Sequence, residues 1–260
     1  MTVLAALLPP RMKGPDRAVS VMRWNAAELC RALSRGMASM FRSATFATAH
    51  DRAQSRSEEL ANALSHALGC LLAIAVWPAL TDVAEHQSGR LGVLSVTVFC
   101  VTMALQYAAS TACHALPHGR AKLWCKSLDH AAIFIFIAGS ITPFMLGAMS
   151  GPSAIATCVL VWALALVGAA LKLMRRLTNR RLSTGLYILL AWLAVLAAWP
   201  GLRQLEPAAL LWLLAGGAAY LVGSAFFMFD SALRFGHFVW HLFVLVGSSC
   251  HVCAALWPTM

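Results

Sequence analysis

Charge is scarce in this chain. Of its 260 residues only 12% are charged and ten are acidic, whereas 60% are hydrophobic. Soluble domains carry about 25% charged residues, so that class is excluded, and a mean hydropathy of +0.72 fits an all-α polytopic membrane protein. A paired-cysteine framework is also missing. The eight cysteines are scattered, mostly inside apolar runs where a thiol acts as a small buried hydrophobe, which excludes a disulfide scaffold and any closed cysteine metal site. Cys250-His-Val-Cys253 lies in such a run, without the strand–helix setting of redox chemistry, and reads as packing. No pattern of lumen-forming strands or amphipathic helices is present. The net charge of +10 does not imply nucleic acid as a partner: the basic residues fall between apolar runs, where lipid headgroups and the positive-inside rule account for them.

What the chain does contain is a series of apolar runs. Residues 1–57 form a basic, polar cytoplasmic tail with no run long enough to span, outside the membrane domain expected over 58–260. This opening is Arg-rich and acid-poor, as targeting peptides are, and Met12, Met22, Met37 and Met40 allow a later start. Seven runs follow, at about 60–80, 91–114, 131–150, 154–173, 184–202, 207–229 and 237–257. Each is near the ~20 residues that a bilayer core requires. They predict a seven-helix transmembrane bundle with breakers such as Ser88-Gly89 and Pro200-Gly201 between the runs. On alternate connections the basic residues accumulate: the tail, Arg120, Lys122 and Lys126, then Lys172, Arg175, Arg176, Arg180 and Arg181, then Arg234. The opposite side receives only Arg90 and Arg203. The expectation is a cytoplasmic N-terminus and a C-terminus across the membrane.

This topology sets the depth of the polar residues. In the last run, His237 and His241 project about 40° apart on neighbouring turns, and His251 returns to the same side roughly 15 Å further along. Imidazoles in lipid must face the protein interior and find a partner. Asn62 and His66 share a face of the first run, Ser110 and His114 share one in the second, and Asp129 with His130 begins the third. All of these fall near the cytoplasmic side. Three neutral histidines with an open fourth position are the donor set of catalytic zinc, and His114, His237 and His241 are the candidate ligands. Asp129 is placed to hold a water or act as general base, with Ser110 orienting His114. Asn62, His66 and His130 are candidates for supporting roles around the metal. Interhelical hydrogen bonding of the histidines is the competing use of the same spacing, and an exposed helix N-cap is the competing role for Asp129.

The segments Glu58-Glu-Leu-Ala-Asn-Ala-Leu-Ser-His-Ala-Leu-Gly69, Ser110-x-x-x-His114, Leu128-Asp-His-Ala-Ala-Ile-Phe134 with Thr142-Pro-Phe144, and His237-Phe-Val-Trp-His-Leu-Phe243 together resemble the haemolysin III family. That family is the bacterial branch of the progestin and adiponectin receptor superfamily. The resemblance covers about residues 57–257, with Ser65 where threonine is common. It implies a Zn2+ site near the cytoplasmic face built from Ser110, His114, Asp129, His237 and His241, in a multi-pass protein of the bacterial inner membrane. Three functions follow from it: a ceramidase-like hydrolase of a lipid amide or ester that enters from the surrounding membrane lipid, a membrane-perturbing cytolysin, or a sensor in lipid homeostasis whose zinc is structural. It names no protein partner.

Overall fold

The computed structural model describes residues 52–148 and 152–257. The expected tail therefore lies outside the described residues, except for its last few positions. Among the described residues there are six helices and no strand: α1 Arg56–Ala115, α2 Arg120–Ala148, α3 Pro152–Leu173, α4 Arg180–Leu202, α5 Pro207–Phe229 and α6 Gly236–Leu256. All six are long and apolar enough to cross a membrane. The protein is an all-helical, multi-pass integral membrane protein.

Helix α1 begins with a capping box. The Ser55 side chain accepts from the Glu58 backbone N–H, and the Glu58 carboxylate accepts from the Ser55 N–H at 2.9 Å, which satisfies two donors that a helix start leaves free. The 60 residues of α1 do not run straight. Gly89 has φ 58° and ψ −146°, a backbone region open only to glycine, and there the chain reverses. Contacts between the two arms nest around that point: Trp77 Nε1 donates to Thr97 Oγ1, Cys70 Sγ to the Ala104 carbonyl, and Glu59 meets His114. One glycine thus does the work of the loop that Ser88-Gly89 was expected to form. Helix α2 also departs from expectation, because it starts at Arg120, well before position 131. Leu116 caps the preceding helix, so only a four-residue connection separates them.

Two buried clusters hold the helices together. Phe134, Phe144 and Met145 of α2 pack with Val161, Leu190, Leu202 and Leu213 of α3 to α5. Leu80, Phe99 and Tyr107 of the two α1 arms pack with Phe136 and Val244. Water is absent from a bilayer core, so close helix packing replaces hydrophobic collapse as the cohesive term. Gly139 shows the closeness: a Cβ there would overlap the Thr102 side chain of α1. The two α1 arms, α2 and α6 are thereby locked around a common polar end, formed by the start and finish of α1, the first turns of α2 and the start of α6.

Candidate metal centre

At that end His114 of α1 meets His237 and His241 of α6. Their ring centroids are 5.0 Å (His114–His237), 5.1 Å (His114–His241) and 4.7 Å (His237–His241) apart. One ligand atom from each lies within 4.8 Å of the others, so the group could hold a metal ion. His241 is 1% exposed. Helix α6 begins with Phe235 in the left-handed conformation, φ 57°, without a side-chain cap. The Phe235 N–H instead donates to Glu58 Oε1 at 2.8 Å, from the first turn of α1. That bond fixes where α6 starts, and so where His237 and His241 point.

The hydrogen bonds engage Nδ1 of each ring. His114 Nδ1 lies 2.7 Å from Glu59 Oε2, and His237 Nδ1 lies 2.7 Å from Asp230 Oδ2. Carboxylate oxygens accept, so each imidazole donates through Nδ1. His241 Nδ1 is 3.2 Å from the Asn62 carbonyl and 3.1 Å from Ser65 Oγ. The Ser65 hydroxyl spends its proton on that same carbonyl at 2.8 Å, so His241 is also the donor. In all three rings Nδ1 is engaged, so Nε2 is the nitrogen open to a ligand. His114 Nε2 is buried with no hydrogen-bond partner, an expensive state for a polar atom unless a ligand meets it. Three imidazoles, each held through Nδ1 by a carboxylate or a carbonyl and grouped this closely, could hold a metal ion.

The surrounding groups separate into those drawn to the cluster and those not. The His66 ring stacks on His241 at 3.5 Å with 4° between planes, and Asn62 supplies the carbonyl already named. Asp129 is buried nine residues into α2 and accepts from Gln106 Nε2 at 3.1 Å. An exposed N-cap role is therefore excluded, because α2 begins earlier than position 128. Ser110 is 1% exposed and lies beside Asp129. His130 stands apart from the cluster: its carbonyl accepts from the Tyr187 hydroxyl at 2.9 Å and its ring meets Phe227 edge-on. His251 packs against Tyr220 and Phe144, away from the three-histidine group.

Two acids that matter here were not singled out from the sequence. Glu59 stood inside a quoted segment and Asp230 in a connection, and no periodicity ties either to a histidine. Outside the spans, burial alone would raise the Asp230 carboxyl, but the hydrogen bonds to His237 and Arg180 outweigh it and hold it at about 2. The Arg52 guanidinium, 2.6 Å from Glu58, holds that carboxyl far below the ordinary range.

A helical membrane bundle with a three-histidine group at one polar end defines the class. Residues 54–252 match the family described as Haemolysin-III related. The chain is 37% identical over 192 residues to the hemolysin-3 homolog of Bacillus subtilis (strain 168), covering 74% of this chain and 90% of that protein. It is 38% identical over 195 residues to hemolysin-3 of Bacillus cereus, covering 74% and 87%. The chain belongs to the haemolysin III family. Its helices and these bacterial relatives support placement in the bacterial plasma membrane. No solved structure matches it.

Proposed function

We propose that this protein is a zinc-dependent hydrolase of lipid amide or ester bonds, with His114, His237 and His241 as the metal ligands. The observation that carries the reading is the orphaned, buried Nε2 of His114 beside two further imidazoles whose Nδ1 positions are already taken. A donor set of three neutral imidazoles suits zinc with one position open. When bound, such a metal polarises a carbonyl and makes water nucleophilic near neutral pH. The chain's own groups supply the rest. Asp129, buried near one ligand helix and held by Gln106, orients the attacking water and accepts its proton. Ser110 steadies that carboxylate. The Glu59 and Asp230 carboxylates keep two ligand rings in place. Substrate reaches the site sideways from one leaflet, because the cluster sits where α1 finishes and α2 and α6 begin.

On the same reading the chain crosses the membrane seven times, α1 contributing two crossings, one on each side of Gly89. The N-terminus and the metal centre then face the cytoplasm, in accord with the basic residues gathered at that end.

The test is metal analysis of detergent-purified protein, followed by hydrolysis assays in vesicles carrying ceramides and acyl lipids. Stoichiometric zinc with turnover is the expected result. Zinc without turnover across that panel would replace the hydrolase with a sensor whose metal is structural, and absence of bound metal would overturn the site itself.

A further inference from the structure

We propose that Lys122 and Arg180, which lie on helices that give no ligand to the histidine cluster, are positioning residues for the metal. Each pins the second oxygen of a carboxylate whose first oxygen holds a ligand histidine. The inference rests on the metal reading above and deepens it.

The arrangement occurs twice with different residues. Glu59 gives Oε2 to His114 at 2.7 Å and Oε1 to Lys122 Nζ at 2.8 Å. Asp230 gives Oδ2 to His237 at 2.7 Å and Oδ1 to the Arg180 guanidinium at 2.5 Å. Each cation is itself tethered. Lys122 donates to the Leu116 carbonyl at 3.1 Å, two residues beyond His114. Arg180 donates to the Phe227 carbonyl and its guanidinium carbon lies 4.3 Å from the centroid of the Phe227 ring. His241 needs no such support, because its Nδ1 is held by the Asn62 backbone carbonyl and by Ser65.

The terminal bond of a carboxylate side chain has a broad rotational minimum, so a carboxylate anchored through one oxygen leaves its imidazole free to swing. Anchoring both oxygens removes that rotation and aims Nε2. A metal site that is loose by about 1 Å loses its ligand geometry. Metal affinity is therefore coupled to α2 and α4 through two side chains that never touch the ion.

A purely structural role predicts something different: loss of either salt bridge would lower the melting temperature of the metal-free protein and leave metal affinity unchanged. The experiment uses full-length protein in detergent, stripped of metal, with Co2+ titrated as the probe and read by its d–d absorption. Arg180→Gln and Lys122→Gln are each expected to weaken Co2+ binding by about 10–100-fold and to shift the d–d bands, and Arg180→Lys should recover affinity relative to Arg180→Gln. In an Asp230→Asn background, Arg180→Gln should have no further effect, since it acts through that carboxylate. Unchanged affinity in both glutamine variants, or an Arg180 effect that simply adds to that of Asp230→Asn, would overturn the inference and leave the metal site standing. Should Arg180→Gln fail to fold, Lys122→Gln, on a different helix, decides alone. A wild type that binds no Co2+ would overturn the metal reading and this inference with it.

Discussion

Glu59 and His114 are 55 residues apart in sequence, yet Glu59 Oε2 and His114 Nδ1 meet at 2.7 Å. The contact joins the two arms of α1 at the three-histidine group, so the turn that reverses α1 also sets the position of one candidate ligand. Glu59→Gln should weaken metal binding by about 10–100-fold, and His114→Ala should abolish it. His251→Ala should retain the metal, since that ring packs with Tyr220 and Phe144. Metal-to-protein ratios after dialysis against a chelator measure all three. Full retention of metal by His114→Ala would remove it from the ligand set.

Gly89→Ala should destabilise the protein by about 1–3 kcal/mol, the cost of forcing a side chain into that backbone region. Nothing lies within 4 Å of where the new Cβ would sit, so the effect is conformational and no clash contributes. Thermal unfolding in detergent reads it. A melting temperature equal to that of the wild type would mean that the reversal does not depend on glycine.

Asp129→Asn keeps the shape of the side chain and removes its basicity. Metal content should remain, whereas lipid amide or ester hydrolysis in vesicles should fall by about 10²–10⁴-fold. His237→Ala, in contrast, should lose metal and turnover together. Undiminished turnover in Asp129→Asn would assign the base elsewhere.

Glu58 carries a pH dependence. Its folded-state carboxyl is held down chiefly by the hydrogen bond from Arg52, so its stabilising contribution is fully present above the unfolded value of about 4.3 and is lost as pH falls through the lower folded value. Glu58→Gln should therefore melt earlier than wild type at pH 7, and the gap should narrow as the pH drops below ~4.3. A gap that stays constant down to acid pH would mean that the Glu58 charge does not support the start of α6.

Fusions of a reporter active only in the cytoplasm test the membrane orientation. A fusion at Met260 should be silent, and one within residues 172–181 should be active. Activity from Met260 would reverse the topology and move the metal centre to the other face.

Two members of the three-histidine group were legible in the sequence because their relation follows from helical periodicity. His237 and His241 are one turn apart whatever surrounds them, and hydropathy alone requires the runs that carry them to be helices in lipid. The low charge likewise fixed the class of protein. What the sequence did not determine depends on contacts between distant segments. Whether Ser88-Gly89 forms a loop or a single-residue reversal was decided by pairing of the arms of α1, such as Trp77 with Thr97. The start of α2 at Arg120, rather than near 131, buried Asp129 inside a helix, where it could not act as an exposed cap. Hydropathy cannot detect that extension, because its added turns are polar. The choice of Nδ1 partners was least legible of all. Glu59 reaches His114, Asp230 reaches His237 and a backbone carbonyl reaches His241, and these pairings exist only because packing brings the ends of α1 and the start of α6 to one place. Periodicity acts within a helix; the orientation of a ligand ring is set between helices.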